Sequence, residues 1–138
     1  MPARVWSGAA PKWPGLVRRL LARGVDPNRP DWLGRTFLHF CAANGGRSIA
    51  ATFVKAGADI NARDLESKGT PLAVAVRSCA TSGNPKPTER GRRMIEFLLK
   101  HGAVTNLPGD EPWATPLAWA RKRGLADIEQ MLLKHGAH

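Results

Sequence analysis

His39 and Cys41 stand two positions apart and are the first pair in this chain whose types could do chemistry. A thiol beside an imidazole is the starting arrangement for nucleophilic catalysis. Catalysis also needs the two groups within hydrogen-bond reach and a third group to orient the base. Residues two apart on a helix point to different faces, so this spacing separates them. Two further histidines, His101 and His135, each precede a glycine. A zinc site needs tetrahedral Cys/His ligands at tight spacing, and no cysteine pair accompanies these two. A cationic side chain at a helix end has a plainer use there, facing the negative end of the helix dipole. There is no glycine-rich phosphate loop, and the acids of "GDEPW", Asp110 and Glu111, would repel phosphate. The expectation is therefore a non-enzymatic chain with no catalytic residue, no metal site and no cofactor.

What remains is binding chemistry. The 138 residues carry 21 basic and 11 acidic side chains, a net charge of +10, and five Trp with no Tyr. Such a surface speeds encounter with acidic proteins, nucleic acid or anionic membranes. Trp and Arg are also the residue types most enriched in interface hot spots. Where they sit depends on the elements that carry them.

Those elements repeat. Asp31 to Arg63, "DWLGRTFLHFCAANGGRSIAATFVKAGADINAR", is 33 residues long, and Asp64 begins the next unit. "GRTFLHFCAANGG" aligns with "KGTPLAVAVRS" and "WATPLAWARKRG", and "IAATFVKAGADINARD" with "MIEFLLKHGAVTNLP" and "IEQMLLKHGAH". An earlier copy of the second half is "LVRRLLARGVDPNRPD". Gly24, Gly57, Gly102 and Gly136 mark one position in each unit, at spacings of 33, 45 and 34.

This pattern resembles the ankyrin repeat over most of the chain, from about Leu16 to the end. It has a finger ending in Gly-x-Thr, a Thr-Pro-Leu-type helix start, a short first helix, a longer second helix and "GADINA". The departures are Phe37 in place of the usual Pro, Ala73 and Ala118 in place of the usual His, and Trp113 in place of a finger Gly. The resemblance implies an all-α solenoid of stacked helix-turn-helix units with about three full repeats. The units are a leading partial or capping repeat (1–30), then 31–63, 64–107 and 108–138. It also implies a structural hydrogen-bonding role for His39 and a small buried residue at Cys41.

Local physics agrees. Thr36, Thr70 and Thr115 can cap helix starts through their hydroxyls. Pro71 and Pro116 follow at the first turn, where a missing N–H costs little. In "LVRRLLARG", Leu16, Val17, Leu20 and Leu21 share one face, with Arg18, Arg19 and Arg23 off it. The glycine after each such run is the residue that ends a helix in the left-handed conformation. No two-helix unit can bury its own apolar face, so the units must stack. At the start, "VWSGAAPKWPG" suggests a truncated first helix ended by Pro11 and Pro14, with Trp6 and Trp13 covering the open end of the stack. The polar last helix, with Asp127, Glu129, Gln130 and Lys134, suits the other end.

In ankyrin-like stacks the partner surface is the concave side formed by finger tips and first helices. Mapped by position, that implies Trp32, Leu33 and Arg35, then Leu65, Glu66 and Lys68, then Glu111, Pro112 and Trp113 on the fingers. The ends of the first helices add Ala43 and Asn44, then Arg77 and Ser78, then Lys122 and Arg123. Phe40, Val74 and Trp119 share one repeat position and are expected in the core. From Thr70 to Gly102 is 32 residues against 21 in the flanking units, so about eleven residues are inserted, at about 79–90. "TSGNPKP" has loop composition. Thr88 can cap a lengthened second helix, leaving Arg90, Arg92 and Arg93 as a basic patch beside the loop.

The expected function is a protein-binding scaffold, monomeric, with an acidic protein partner. The alternative is electrostatic binding of nucleic acid through the Arg-rich second helix, although no aromatic is interleaved with it. A third possibility is a structural fragment of a longer array. No apolar run is long enough to span a membrane. Two cysteines and the absence of an apolar leader make a reducing, cytoplasmic compartment the expectation.

Overall fold

The structure, a computed structural model, describes residues 13–80 and 86–137. Seven α-helices and one 3-10 turn, and no strand, occur among the described residues. They are α1 (Trp13–Ala22), α2 (Phe37–Asn44), α3 (Arg47–Lys55), α4 (Pro71–Ser78), α5 (Glu89–Lys100), the 3-10 turn Pro112–Ala114, α6 (Pro116–Lys122) and α7 (Ala126–Lys134). The short helices α2, α4 and α6 stack side by side in chain order. Each packs on the helix that follows it, α2 on α3, α4 on α5 and α6 on α7, and α1 packs on α3.

The helix starts follow from the threonines. Thr70 Oγ1 accepts the Ala73 N–H at 3.3 Å, and Thr115 Oγ1 accepts the Ala118 N–H at 3.1 Å. Pro71 and Pro116 occupy the first helical position behind them. At α2 the ring of His39 closes the first turn instead, its Nδ1 accepting the Thr36 N–H at 3.0 Å. The helix ends follow from the glycines. Gly24, Gly57, Gly102 and Gly136 have φ of 97°, 95°, 96° and 92°. That turn lets the next residue's N–H reach back to the last turn, as in Ala58 to Phe53 O at 3.0 Å and Ala103 to Leu98 O at 2.9 Å.

Neighbouring units are stitched by asparagines. The Asn61 side chain accepts the Val104 N–H at 2.8 Å and donates to Gly102 O, one unit further on. Asn28 does the same with the Asp59 N–H and Gly57 O. Backbone groups at the unit boundaries thereby find partners without a sheet.

The core runs through the stack as one cluster. Leu38, Leu72 and Leu117 hold equivalent places on α2, α4 and α6, and Met94, Ile95, Leu98, Ile128 and Leu132 come from α5 and α7. On α1, Val17 is buried and Leu21 packs against the cluster, while Leu16 and Leu20 are exposed. Pro14 lies inside α1 rather than ending a helix before it. The first turn tolerates it because that N–H has no intrahelical partner in any case. Trp6 and Pro11 lie outside the described residues.

The inserted stretch is tied at its base. Thr88 N–H donates to Cys79 O at 2.6 Å, and Thr88 Oγ1 accepts the Gly91 N–H at 3.1 Å. Helix α5 has 12 residues, against 9 in α3 and in α7. It begins at Glu89, so the end of the inserted stretch, Glu89 and Arg90, forms its extra first turn. A Cβ on Gly91 would lie 2.6 Å from Cys79 Cβ, so only glycine lets α5 come this close to the end of α4.

Candidate protein-binding face

The fingers are fixed by their aspartates. Asp31 Oδ1 accepts the N–H of Leu33 and of Arg35, both at 2.9 Å, and Oδ2 takes the Arg35 side chain, also at 2.9 Å. Burial raises the Asp31 carboxyl, but the N–H groups of Arg35 and Leu33 and the Arg35 charge outweigh it, so its pKa lies below the ordinary value. In the second finger, buried Asp64 accepts the N–H of Ser67 at 2.6 Å and its hydroxyl at 2.8 Å. Lys68 takes a left-handed backbone there, with φ of 56°. Leu65 N–H donates to Leu33 O at 2.8 Å and joins the two fingers. In the third, Asp110 accepts the Leu107 N–H at 2.7 Å and receives Nε of Arg63, the last residue of the 31–63 unit, at 2.8 Å.

These rigid turns hold large apolar side chains out in solvent. Trp32 is 83% exposed, Leu65 64% and Trp113 55%. Of the other finger residues marked in the sequence, Glu66, Lys68 and Glu111 are exposed. Leu33 is half-buried and its carbonyl serves finger stacking. Arg35 is already engaged, by Asp31 below it and by the Phe40 ring 5.0 Å from its guanidinium carbon.

The position shared by Phe40, Val74 and Trp119 corrects the sequence expectation. Val74 is in the core at 5% exposure, but Phe40 is 42% exposed and Trp119 is only half-buried. The reason is place in the stack. Helix α4 has a first helix on either side, whereas α2 and α6 flank it and among the described residues each has a first-helix neighbour on one side only. Trp119 carries two cations over its ring, Arg77 at 5.5 Å from α4 and Lys122 at 5.1 Å from its own helix. Arg123 and Lys122 are exposed where α6 ends. Asn44 is exposed, but its amide is spent on Phe40 O at 2.9 Å. Phe40 is a surface residue that sequence reasoning assigns to the core, and Trp119 lies at the core's edge, packed against it. The available signal was their size at a position where the middle unit holds only Val.

The basic patch of α5 is largely neutralised. Arg93 pairs with Glu89 at 2.8 Å and Arg92 with Glu96 at 3.3 Å, both one helical turn apart. The Arg90 side chain lies across Gly45 and closes one wall of a groove of about 790 Å³ with mixed polar and apolar lining, to which Arg93 and Phe97 also contribute. A second groove, of about 410 Å³ and almost wholly apolar, opens between α1 and α2 and is lined by Leu20, Leu21, Phe37, Phe40 and Phe53.

The residues first considered for catalysis are structural. His39 is buried, and its Nδ1 accepts from Thr36, so Nε2 carries the proton and donates to Gly69 O at 2.9 Å. Burial holds its pKa below the ordinary 6.5, against the pull of the Gly69 carbonyl, Asp64 and Asp31. Burial pushes the Cys41 thiol up to about 12, which removes its thiolate at neutral pH. His101 and His135 are exposed, and each Nδ1–H donates to a last-turn carbonyl, Phe97 O at 2.8 Å and Met131 O at 2.9 Å. No cluster of three or more potential metal ligands occurs among the described residues. No described helix is long and apolar enough to cross a membrane.

Stacked helix pairs joined by rigid fingers define a repeat scaffold, and comparison with known families names it. Residues 9–54 match the family described as ankyrin repeats (many copies). The chain belongs to the ankyrin repeat family. It is 40% identical over 107 residues to NF-kappa-B inhibitor delta of Mus musculus, covering 69% of this chain and 32% of that protein. It is 32% identical over 123 residues to neurogenic locus notch homolog protein 1 of Xenopus tropicalis, covering 88% of this chain and 4% of that one. It is 28% identical over 95 residues to phosphocholine transferase AnkX of Legionella pneumophila, covering 69% of this chain and 9% of that enzyme. The chain thus spans a third or less of each of these relatives. Ankyrin repeats in general mediate protein–protein interaction and are typically non-catalytic.

Proposed function

We propose that the chain is a monomeric, non-enzymatic scaffold of the cytoplasm that holds a protein partner with an acidic surface. The contact runs through the concave side formed by the fingers and the first helices. The observation that carries this reading is the exposure of Trp32, Leu65 and Trp113 on turns whose backbone is locked by Asp31, Asp64 and Asp110. Large apolar side chains on a preorganised backbone lose little entropy on binding and make strong anchors. The net charge of +10 favours an acidic partner. Binding of nucleic acid through α5 is less well supported, because Glu89 and Glu96 already pair two of its arginines.

The test is capture from lysate at about 150 mM salt, near physiological ionic strength. The wild type is compared with a variant carrying Trp32→Ala, Leu65→Ala and Trp113→Ala, with circular dichroism confirming that both are folded. A discrete protein held by the wild type and lost by the variant supports the reading. Unchanged capture moves the site away from the fingers and overturns it. Retention of nuclease-sensitive material alone overturns it as well.

A further inference from the structure

Two cations have been gathered onto one ring, and among the described residues no acid pairs with either. Arg77 and Lys122 occupy equivalent positions of successive units, at the ends of α4 and α6, and both lie over Trp119. The five ion pairs among the described residues involve Arg35, Arg63, Arg92, Arg93 and Arg121, and neither member of this pair. Arg123 follows Lys122 and is exposed where α6 ends. The indole orients the two cations through its ring quadrupole but carries no charge to neutralise them. Holding like charges together, oriented and unpaired, works against the free protein and favours an anionic ligand.

Resting on the protein-binding reading above, we propose that the partner anchors here through an acidic segment, a pair of carboxylates seated against Arg77 and Lys122 beside Trp119. Carboxylates fit better than a phosphate group. Both helices end at this spot, so their dipoles present the negative end, which penalises a concentrated double charge. The N–H groups that could cradle a phosphate are spent inside the helices, Cys79 on Val76 O and Arg123 on Trp119 O. Two single charges spread along a peptide match two cations placed on neighbouring helices.

The probe is a fluorescein-labelled peptide of alternating Glu and Leu, titrated with the whole chain and followed by anisotropy at about 150 mM salt. Two control peptides replace Glu by Gln, or by a single phosphoserine in a Gln background. The NMR signal of the Trp119 indole N–H, assigned with Trp119→Phe, reports the place of contact. Arg77→Gln with Lys122→Gln keeps both side-chain stems and the fold, and Arg92→Gln with Arg93→Gln removes the same charge elsewhere. The expected result is saturable binding of the Glu peptide with a shift at Trp119. The first double variant should weaken it about tenfold, the second should not, and the Gln peptide should not bind. Equal loss in both double variants means general attraction to a basic chain and overturns the proposal. Tighter binding of the phosphoserine peptide at Trp119, or no saturable binding, overturns it too. A lysate partner lost by the finger variant but kept by the Arg77, Lys122 variant overturns the acidic anchor and leaves the protein-binding face standing.

Discussion

Phe37 stacks on Phe53, ring centroids 4.8 Å apart and planes 7° from parallel. Phe37 stands where two other units have proline, and the stack supplies a reason for the exchange. A proline at the first helical position aids the helix start, whereas the ring covers Phe53 at the edge of the apolar groove beside α1. The two rings differ in burial, 39% exposed for Phe37 and 5% for Phe53. Phe53→Ala should cost about 3–5 kcal/mol, as a buried aromatic does. Phe37→Ala should cost about 0.5–1.5 kcal/mol for the ring pair plus a part of its burial. Urea unfolding of both variants checks this, and equal costs would show that the two rings do not divide into anchor and cover.

His39 makes stability depend on pH with a definite sign. Its folded pKa lies below 6.5, so below that value the unfolded chain binds a proton that the folded chain refuses. This contribution is present in full above about pH 6.5, the ordinary pKa of an exposed imidazole, and declines as the pH falls through the window beneath it. His39→Leu loses the hydrogen bond to Gly69 O and should be less stable by about 1–3 kcal/mol at pH 7.5. Its stability should also fall less steeply between pH 7 and pH 5. Urea midpoints of both proteins across that range decide the matter, and parallel curves would exclude His39 as the source.

Gly91 offers a prediction that runs against helix propensity. Alanine for glycine inside a helix ordinarily stabilises by about 1 kcal/mol. Here the added methyl meets Cys79 Cβ at 2.6 Å and Cys79 Cα at 2.7 Å, across a junction already tied by Thr88. Gly91→Ala should therefore destabilise by about 1–3 kcal/mol, as overpacking does. A thermal midpoint at or above that of the wild type would mean that the insertion yields easily and α5 is not pinned to α4.

Part of the candidate site could be seen before the fold. Trp32, Leu65 and Trp113 stand out because fingers lie off the core, and a large apolar residue there has nothing to fill. The pairing of Glu89 with Arg93 and of Arg92 with Glu96 was also open to inspection, since residues four apart on a helix are neighbours. Of the basic patch of Arg90, Arg92 and Arg93, these acids engage the last two. Analogy with Val74 assigns Phe40 and Trp119 to the core, an inference from position that takes no account of how many helices flank each one.

The boundary between sequence and tertiary structure follows the range of the forces. The all-helical repeat class, the threonine starts at Thr70 and Thr115 and the terminating glycines were determined by the sequence alone. They depend on backbone geometry and apolar spacing within one unit, which recur wherever the same residues recur. The exposure of Phe40, the meeting of Arg77 with Trp119 and the close pass of Gly91 over Cys79 were decided only by the stacked structure. Each outcome depends on how many neighbours a helix has and how closely it approaches them, which the local spacing of residues along the chain does not encode.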